Sequence, residues 1–322
     1  MNTFGTNFRL SIFGESHGEA VGVVVDGCPA GITLTASDFI EDLNRRKSGS
    51  QGTTLRRETD YPHILTGVFN GHTTGSPITI IFENKHTISK NYERFKYHPR
   101  PGHVDFAANK KFKGFQDYRG SGHFSGRLTL GLVAAGTIAK RIIAPIDIKS
   151  ALIEAGGNSD IDAAVQKAIE TKNSIGGVVE CIAKRIPIGL GEPFFNSLES
   201  IISHLAFSIP GIKAIEFGDG FRAAKMKGCD FNDLIINEEG KTATNHSGGI
   251  SGGISNGNDL VFRVSVRPAA SIEQIQETYN FKTKQIELLS VKGHHDICIA
   301  LRVPVIVEAI TAIALADLQG FF

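Results

Sequence analysis

The sequence predicts an α/β (α+β) fold. Short β-branched runs and segments of helical periodicity alternate along the whole chain, which argues for sheets packed against helices. The 36 glycines gather in short motifs rather than in low-complexity tracts, which marks tight turns and close backbone approach. No internal repeat and no linker-like boundary interrupts the pattern, so residues 1–322 are expected to form a single domain.

Phe8–Phe13 and Val21–Asp26 read as strands on either side of GESHG. Ser37 is positioned to cap a helix that runs to about Arg46, with Phe39, Ile40 and Leu43 on one face. PITIIFE, Pro77–Glu83, is β-branched and strand-like. Ser125–Ala144 reads as a long buried helix: Leu128, Leu132, Ile138 and Ile142 recur at helical spacing, and its small residues permit close packing. A helix at Asp160–Thr171 precedes a strand at Gly177–Arg185. Next come a helix at Leu198–Phe207, a strand at Ile212–Phe217 and a cleanly alternating strand at Asp259–Val266. Val303–Leu318 closes the pattern as an apolar helix.

Composition narrows the function classes. The hydrophobic fraction of 41% and charged fraction of 21% are those of a globular protein. A net charge of +1 gives no electrostatic bias toward nucleic acid or a membrane surface. Cys28, Cys181, Cys229 and Cys298 are far apart and form no C-x-x-C pair, so they read as free thiols of a reducing compartment. The first residues lack an apolar signal region. Glu308 and Asp317 interrupt the best apolar window, Val303–Leu318. A soluble cytoplasmic protein is the expectation.

Six motifs carry chemistry. In GESHG, Gly14–Gly18, the glycines expose Ser16 and His17; an acid–base loop and a solvent-facing turn compete as readings. No helix follows this motif, which separates it from a strand–turn–helix nucleophile elbow. The run Asn44–Glu58 holds Arg45, Arg46, Lys47, Arg56 and Arg57. Guanidinium forks suit phosphate or carboxylate oxygens, although a solvated basic surface is the plainer reading. In HPRPGHVD, His98–Asp105, the prolines and Gly102 frame His103 as a general acid–base group would require. DYRGSGHFSGR, Asp117–Arg127, leads into the long helix with small residues suited to an anion, but it is neither a Walker loop nor G-x-G-x-x-G. The bare tract Ser247–Gly257, followed by VRPAAS at Val266–Ser271, suits a flat ring and a phosphate. In KGHHDIC, Lys292–Cys298, Asp296 can tune a neighbouring histidine; no metal is expected, because consecutive residues rarely converge on one ion.

Taken together and in order, FGESHG, the RR…RRE cluster, RPGH, DYRG…SGR, SGGI…SGGISNG, RP..S and GHHD resemble the chorismate synthases. DGCPAGITLT at Asp26–Thr35 and RVPVIVEA at Arg302–Ala309 match as well, so the resemblance covers nearly the whole chain. It implies a β-α-β sandwich with a helical layer between sheets, and a homotetramer. It also implies a lyase that converts 5-enolpyruvylshikimate 3-phosphate to chorismate and inorganic phosphate. That reaction is a 1,4-anti elimination requiring reduced FMN without net redox change.

Site residues follow from the same resemblance. His17 matches the acid near the departing phosphate, and His103 the imidazole that protonates reduced flavin. Asp296 with Ser16 matches a proton relay. FMN contacts fall on His123, Phe124 and Ser125, on Pro210 and Gly211, on Gly252, on Arg267, Pro268, Ala269, Ala270 and Ser271, and on His294. Arg46 matches a position assigned to nicotinamide nucleotide, with substrate phosphate as the alternative; Arg45, Arg57, Arg100 and Arg127 complete an anion cage. The chain departs from the common family pattern at His123 and His294, where arginines are usual, at Leu128 for a glutamate, and at RPAAS for KPTSS. An external reductant is expected to reduce the flavin. The competing functions are a flavin oxidoreductase on the same scaffold, which needs a nicotinamide site that no G-x-G-x-x-G supplies, and an inactive anion- or flavin-binding protein.

Overall fold

Two antiparallel sheets enclose a layer of helices. The computed structural model describes residues 2–54, 56, 58–87, 89–90, 92–293 and 295–320. The first sheet holds β1 (Thr3–Phe4), β2 (Arg9–Gly14), β3 (Ala20–Asp26), β4 (His63–Thr66) and β5 (Ile78–Glu83), in the spatial order β1-β2-β3-β5-β4. The second holds β6 (Asp147–Ala155), β7 (Gly177–Lys184), β8 (Ile212–Phe217) and β9 (Leu260–Val266), in the order β8-β9-β7-β6. Period-2 alternation sets which face is buried: along β9, Leu260, Phe262, Val264 and Val266 point inward.

Six helices are used below: α1 (Ile40–Arg46), α2 (Asp105–Lys111), α3 (Thr129–Ile142), α4 (Ile161–Glu170), α5 (Leu198–Ala206) and α6 (Pro304–Gln319). Helix α3 lies on the first sheet, α6 lies on the second, and the two helices pack on each other. The layering is therefore β-α-α-β. Each middle helix has a sheet on one side and a helix on the other, so each is apolar all round. Residues Thr129 through Ala139 and Val305 through Asp317 are buried without a break. Gly136 faces Ala309 so closely that a Cβ there would overlap it.

Two carboxylates of α6 tie the layers. Glu308, 3% exposed, receives both Nη atoms of Arg45 at 2.7 and 2.6 Å, Nζ of Lys140 at 3.1 Å and the N–H of Ser150 at 3.0 Å. Burial pushes its pKa up, but Arg45 and Lys140 outweigh that and hold it below the usual value. Asp317 accepts from the backbone N–H groups of Thr6, Asn7 and Phe8 at 2.7, 2.7 and 2.9 Å.

Several expectations need correction. The long helix starts at Thr129, because the Ser125 side chain caps a preceding 3-10 turn, Gly126–Leu128, by accepting from the N–H of Arg127. Thr35, not Ser37, caps the turn Ala36–Phe39 ahead of α1. β6 was not legible: it is an edge strand whose charged, half-exposed residues blur the alternation. Helix α2 and the hairpin Gln276–Asn280/Gln285–Leu289 were missed as well, the first being seven residues long and the second mostly exposed. No helix among the described residues is long and apolar enough to cross a membrane.

Gly136→Val should lower the unfolding free energy by about 1–3 kcal/mol in urea titration, through overpacking against Ala309. Gly228→Ala, whose Cβ meets nothing within 4 Å, should stay within about 0.5 kcal/mol.

Candidate functional site

The turn between β2 and β3, the turn leading into α2 and the loop Arg119–Phe124 meet at one place. The last of these is the organiser. Gly120, Ser121 and Gly122 have φ of 56°, 70° and 54°, a left-handed run that two glycines make affordable. A Cβ on Gly120 would overlap the His17 imidazole. Gly122 accepts from the N–H of Ser16 at 3.1 Å, and the Ser121 hydroxyl lies 3.0 Å from Nε2 of His103. One loop thus touches both framed histidines.

His17 stands edge-on to Tyr92, with ring centroids 5.2 Å apart, and its Nδ1 is 2.9 Å from the Ser89 hydroxyl. Arg56 donates to the Ser16 hydroxyl at 3.1 Å and to its carbonyl at 3.2 Å. Burial, then the Arg56 cation, pushes the His17 pKa down to about 4. The ring is therefore neutral at pH 7, and an arriving anion would favour its protonation.

His103 is held from both ends. Its Nδ1 lies 2.6 Å from Asp105 Oδ1, and Arg100 grips the same carboxylate through Nε and Nη2, each at 2.8 Å. Arg100 also reaches Ser271 at 3.0 Å and lies over the Phe95 ring at 4.5 Å. Burial pushes the His103 pKa down; the Asp105 bond pulls it back, and Arg100 adds to the fall.

A third group is a buried cation cluster. Arg46, 3% exposed, reaches Asp60 Oδ2 at 3.1 Å, while Arg127 reaches Asp60 Oδ1 at 2.8 Å. Arg302 donates to the Arg46 carbonyl at 2.8 Å and approaches both Asp296 oxygens at 3.4 Å. Burial, then the Arg302 charge, pushes the Arg46 pKa below its ordinary value, against the pull of Asp60. Nε of Arg46 is buried without a partner among the described residues. Three guanidiniums thus face two carboxylates, an excess of positive charge that an anionic ligand would neutralise. Arg127 also binds the Asn84 side chain, whose amide holds the Glu15 and Gly18 carbonyls, so the cluster is wired to the GESHG turn.

The structure does not gather every expected residue. Arg45 is turned to Glu308 and Asp42, away from this cluster, because the buried Glu308 carboxylate captures its fork. The glycine tract Ser247–Gly257 forms a hairpin at the Leu260 end of β9, where Gly248, Gly249 and Gly253 serve close backbone packing. Gly252 therefore lies at the opposite end of β9 from Arg267. Gly211 accepts from the N–H of Arg267 at 2.9 Å, next to Pro210. Ser271 joins Arg100, and Ala269 accepts from Ser174, which fixes the segment Arg267–Ser271 beside His103. His123 binds the Gly14 carbonyl at 2.8 Å, and the Phe124 ring leans on Phe112. Asp296 accepts from the N–H of Thr54 at 2.9 Å. Arg57 and His294 lie outside the described residues.

Asp105, Asp60, Ser121 and Arg302 were missed. Asp105 is visible in the sequence as the last letter of RPGHVD, but its bond to His103 needs the turn into α2. His295 has Nε2 buried without a partner among the described residues.

The chorismate synthase family model matches residues 8–319. The chorismate synthase of Chitinophaga pinensis is 60% identical over 318 residues, 98% of this chain and 96% of the relative. That of Methanocaldococcus jannaschii is 39% identical over 364 residues, covering 99% and 96%. A solved chorismate synthase structure superposes with a TM-score of 0.73 at 25% identity, over 98% of this chain and 92% of that one.

NMR titration should find His17 neutral down to about pH 5, and inorganic phosphate should raise its pKa. Because the folded pKa lies below the unfolded one, His17 destabilises the fold as pH falls from about 6.5 toward about 4. His17→Gln should flatten the melting-temperature profile across that window.

Proposed function

The chain belongs to the chorismate synthase family and has its activity, and we propose an account of how its residues carry that activity out. The reaction eliminates a ring proton and the phosphate of 5-enolpyruvylshikimate 3-phosphate, giving chorismate and inorganic phosphate without net redox change. The observation that carries the site reading is the loop Gly120–Gly122, which touches His17 and His103 together.

The substrate brings a phosphate and two carboxylates. Arg46, Arg127 and Arg302 offer the excess buried charge to meet them. Arg57, by the family resemblance, belongs with them. His17, neutral at rest and next to Arg56, is suited to take a proton as anionic oxygens approach and to share it with the leaving phosphate. Asp296 is oriented by Arg302 and the Thr54 N–H, as a proton acceptor needs.

Reduced FMN fits the remaining surface. Nε2 of His295 is an orphaned polar atom near Arg100, buried without a partner among the described residues. Arg267, Ser271 and His103 adjoin it. When bound, the cofactor supplies a transient electron for the cleavage of the carbon–oxygen bond. Arg267 would meet its phosphate, His103 would hold a proton at the ring, and the prolyl segment Arg267–Ser271 would orient it.

The remaining parts of the reading are one catalytic domain over residues 1–322, cytoplasmic placement, an external reductant and a homotetramer. A large hydrophobic core that reaches both sheets supports the first, and the free cysteines the second. Exposed Phe69, Phe194, Phe195 and Ile286 support self-association.

Anaerobic turnover with dithionite-reduced FMN should give chorismate and phosphate in equal amounts, and none with oxidised FMN. His17→Gln and His103→Gln should each lower kcat by about 10²–10⁴-fold. Stoichiometric consumption of a reduced nicotinamide nucleotide without chorismate would instead indicate an oxidoreductase.

A further inference from the structure

Ser121 is the one residue of the Gly120–Gly122 run that has a side chain. Its φ of 70° and ψ of 8° are left-handed, a conformation that costs a serine about 1 kcal/mol more than a glycine. Glycine stands on both sides, so the backbone alone does not ask for a serine here.

What the hydroxyl does follows from its neighbours. Asp105 is ionised: burial pushes its pKa up, but Arg100 and His103 outweigh that and hold it far below the usual range. A carboxylate only accepts, so at 2.6 Å from Asp105 the Nδ1 of His103 must carry the proton. Arg100 Nη2 and the Asp105 N–H also lie near that nitrogen, at 3.1 and 3.2 Å, but the shorter charged contact decides the tautomer. At the other end, Arg100 Nη2 donates to the Ser121 oxygen over a long 3.4 Å. A guanidinium never accepts, so that lone pair is taken and the hydroxyl proton is left to point at Nε2 of His103, 3.0 Å away. Donation runs from Arg100 to Ser121, from Ser121 to His103 and from His103 to Asp105, and Asp105 also accepts directly from Arg100.

We propose that Ser121 is a positioning residue of the reaction, holding Nε2 of His103 as an occupied acceptor and fixing the imidazole in its Nδ1–H form. The proposal rests on the reading of His103 as an acid–base group. A proton bound for His103 must pass the serine oxygen or displace it, so Ser121 governs when the imidazole becomes available.

Glycine is compatible with the backbone here, so Ser121→Gly removes the hydroxyl without threatening the fold. The test is a long-range proton–nitrogen NMR spectrum of His103 in wild type and variant, together with melting temperature and steady-state kinetics. The expected result is an Nε2 resonance shifted toward that of an unbonded imidazole nitrogen, a melting temperature equal or higher, and kcat lowered roughly tenfold with KM little changed. Ser121→Asn tolerates the left-handed backbone and offers an N–H donor, so it should recover part of both kcat and the resonance position. An unmoved Nε2 resonance in Ser121→Gly overturns the proposal, whatever happens to activity. If wild-type protein makes no chorismate, the functional reading fails, and the resonance alone still decides the role of Ser121.

Discussion

The close approach of α3 and α6 at Gly136 and Ala309 is the constraint on which the molecule rests. Two sheets can share one core only if the layer between them is thin enough for both inner faces to reach it. Small residues on the facing sides of the helices make it so, and branched residues on their other sides fill the sheets. Because neither helix meets water along most of its length, their few polar groups must be answered internally. Glu308 and Asp317 are answered by Arg45, Lys140, Ser150 and the first turn of the chain, so these bonds also fix how the layers register.

The site inherits this frame. Helix α3 begins two residues after Arg127, and the Arg119–Phe124 loop ends three residues before that arginine. The loop is thus tethered close to a buried helix while it contacts both imidazoles. The electrostatics then divide the work. Around Asp60 positive charge is in excess, and both histidines are pushed toward the neutral form by burial. Such a site suits anions, whose arrival would favour protonation of the imidazoles.

Much of this was legible in the sequence, because the informative parts obey local rules. β3, β5, β7 and β9 alternate or are β-branched, and α3 and α6 are apolar over many turns. GESHG and RPGHVD are turns whose glycines and prolines announce themselves. The glycine tract Ser247–Gly257 was ambiguous: bare backbone looks the same whether it waits for a ring or for another strand, and here Gly248 packs on Gly218 and Gly253 on Ser197, while a Cβ on Gly252 would meet nothing. Arg45 misled in a related way, since its partner Glu308 is 263 residues away. Asp60, Ser121 and Arg302 were invisible for the same reason, their meaning lying wholly in distant neighbours.

The bond between Asp317 and the turn Thr6–Phe8 spans 311 residues. A polypeptide made from its N-terminal end must therefore add 309 to 311 residues after those N–H groups before they meet this carboxylate. The first sheet can assemble early, but its opening turn is secured last, when α6 arrives between the sheets. Vectorial synthesis thus leaves a late stitch on an early-made turn, and a chain stalled short of Asp317 would present that turn loose to the cell's quality control.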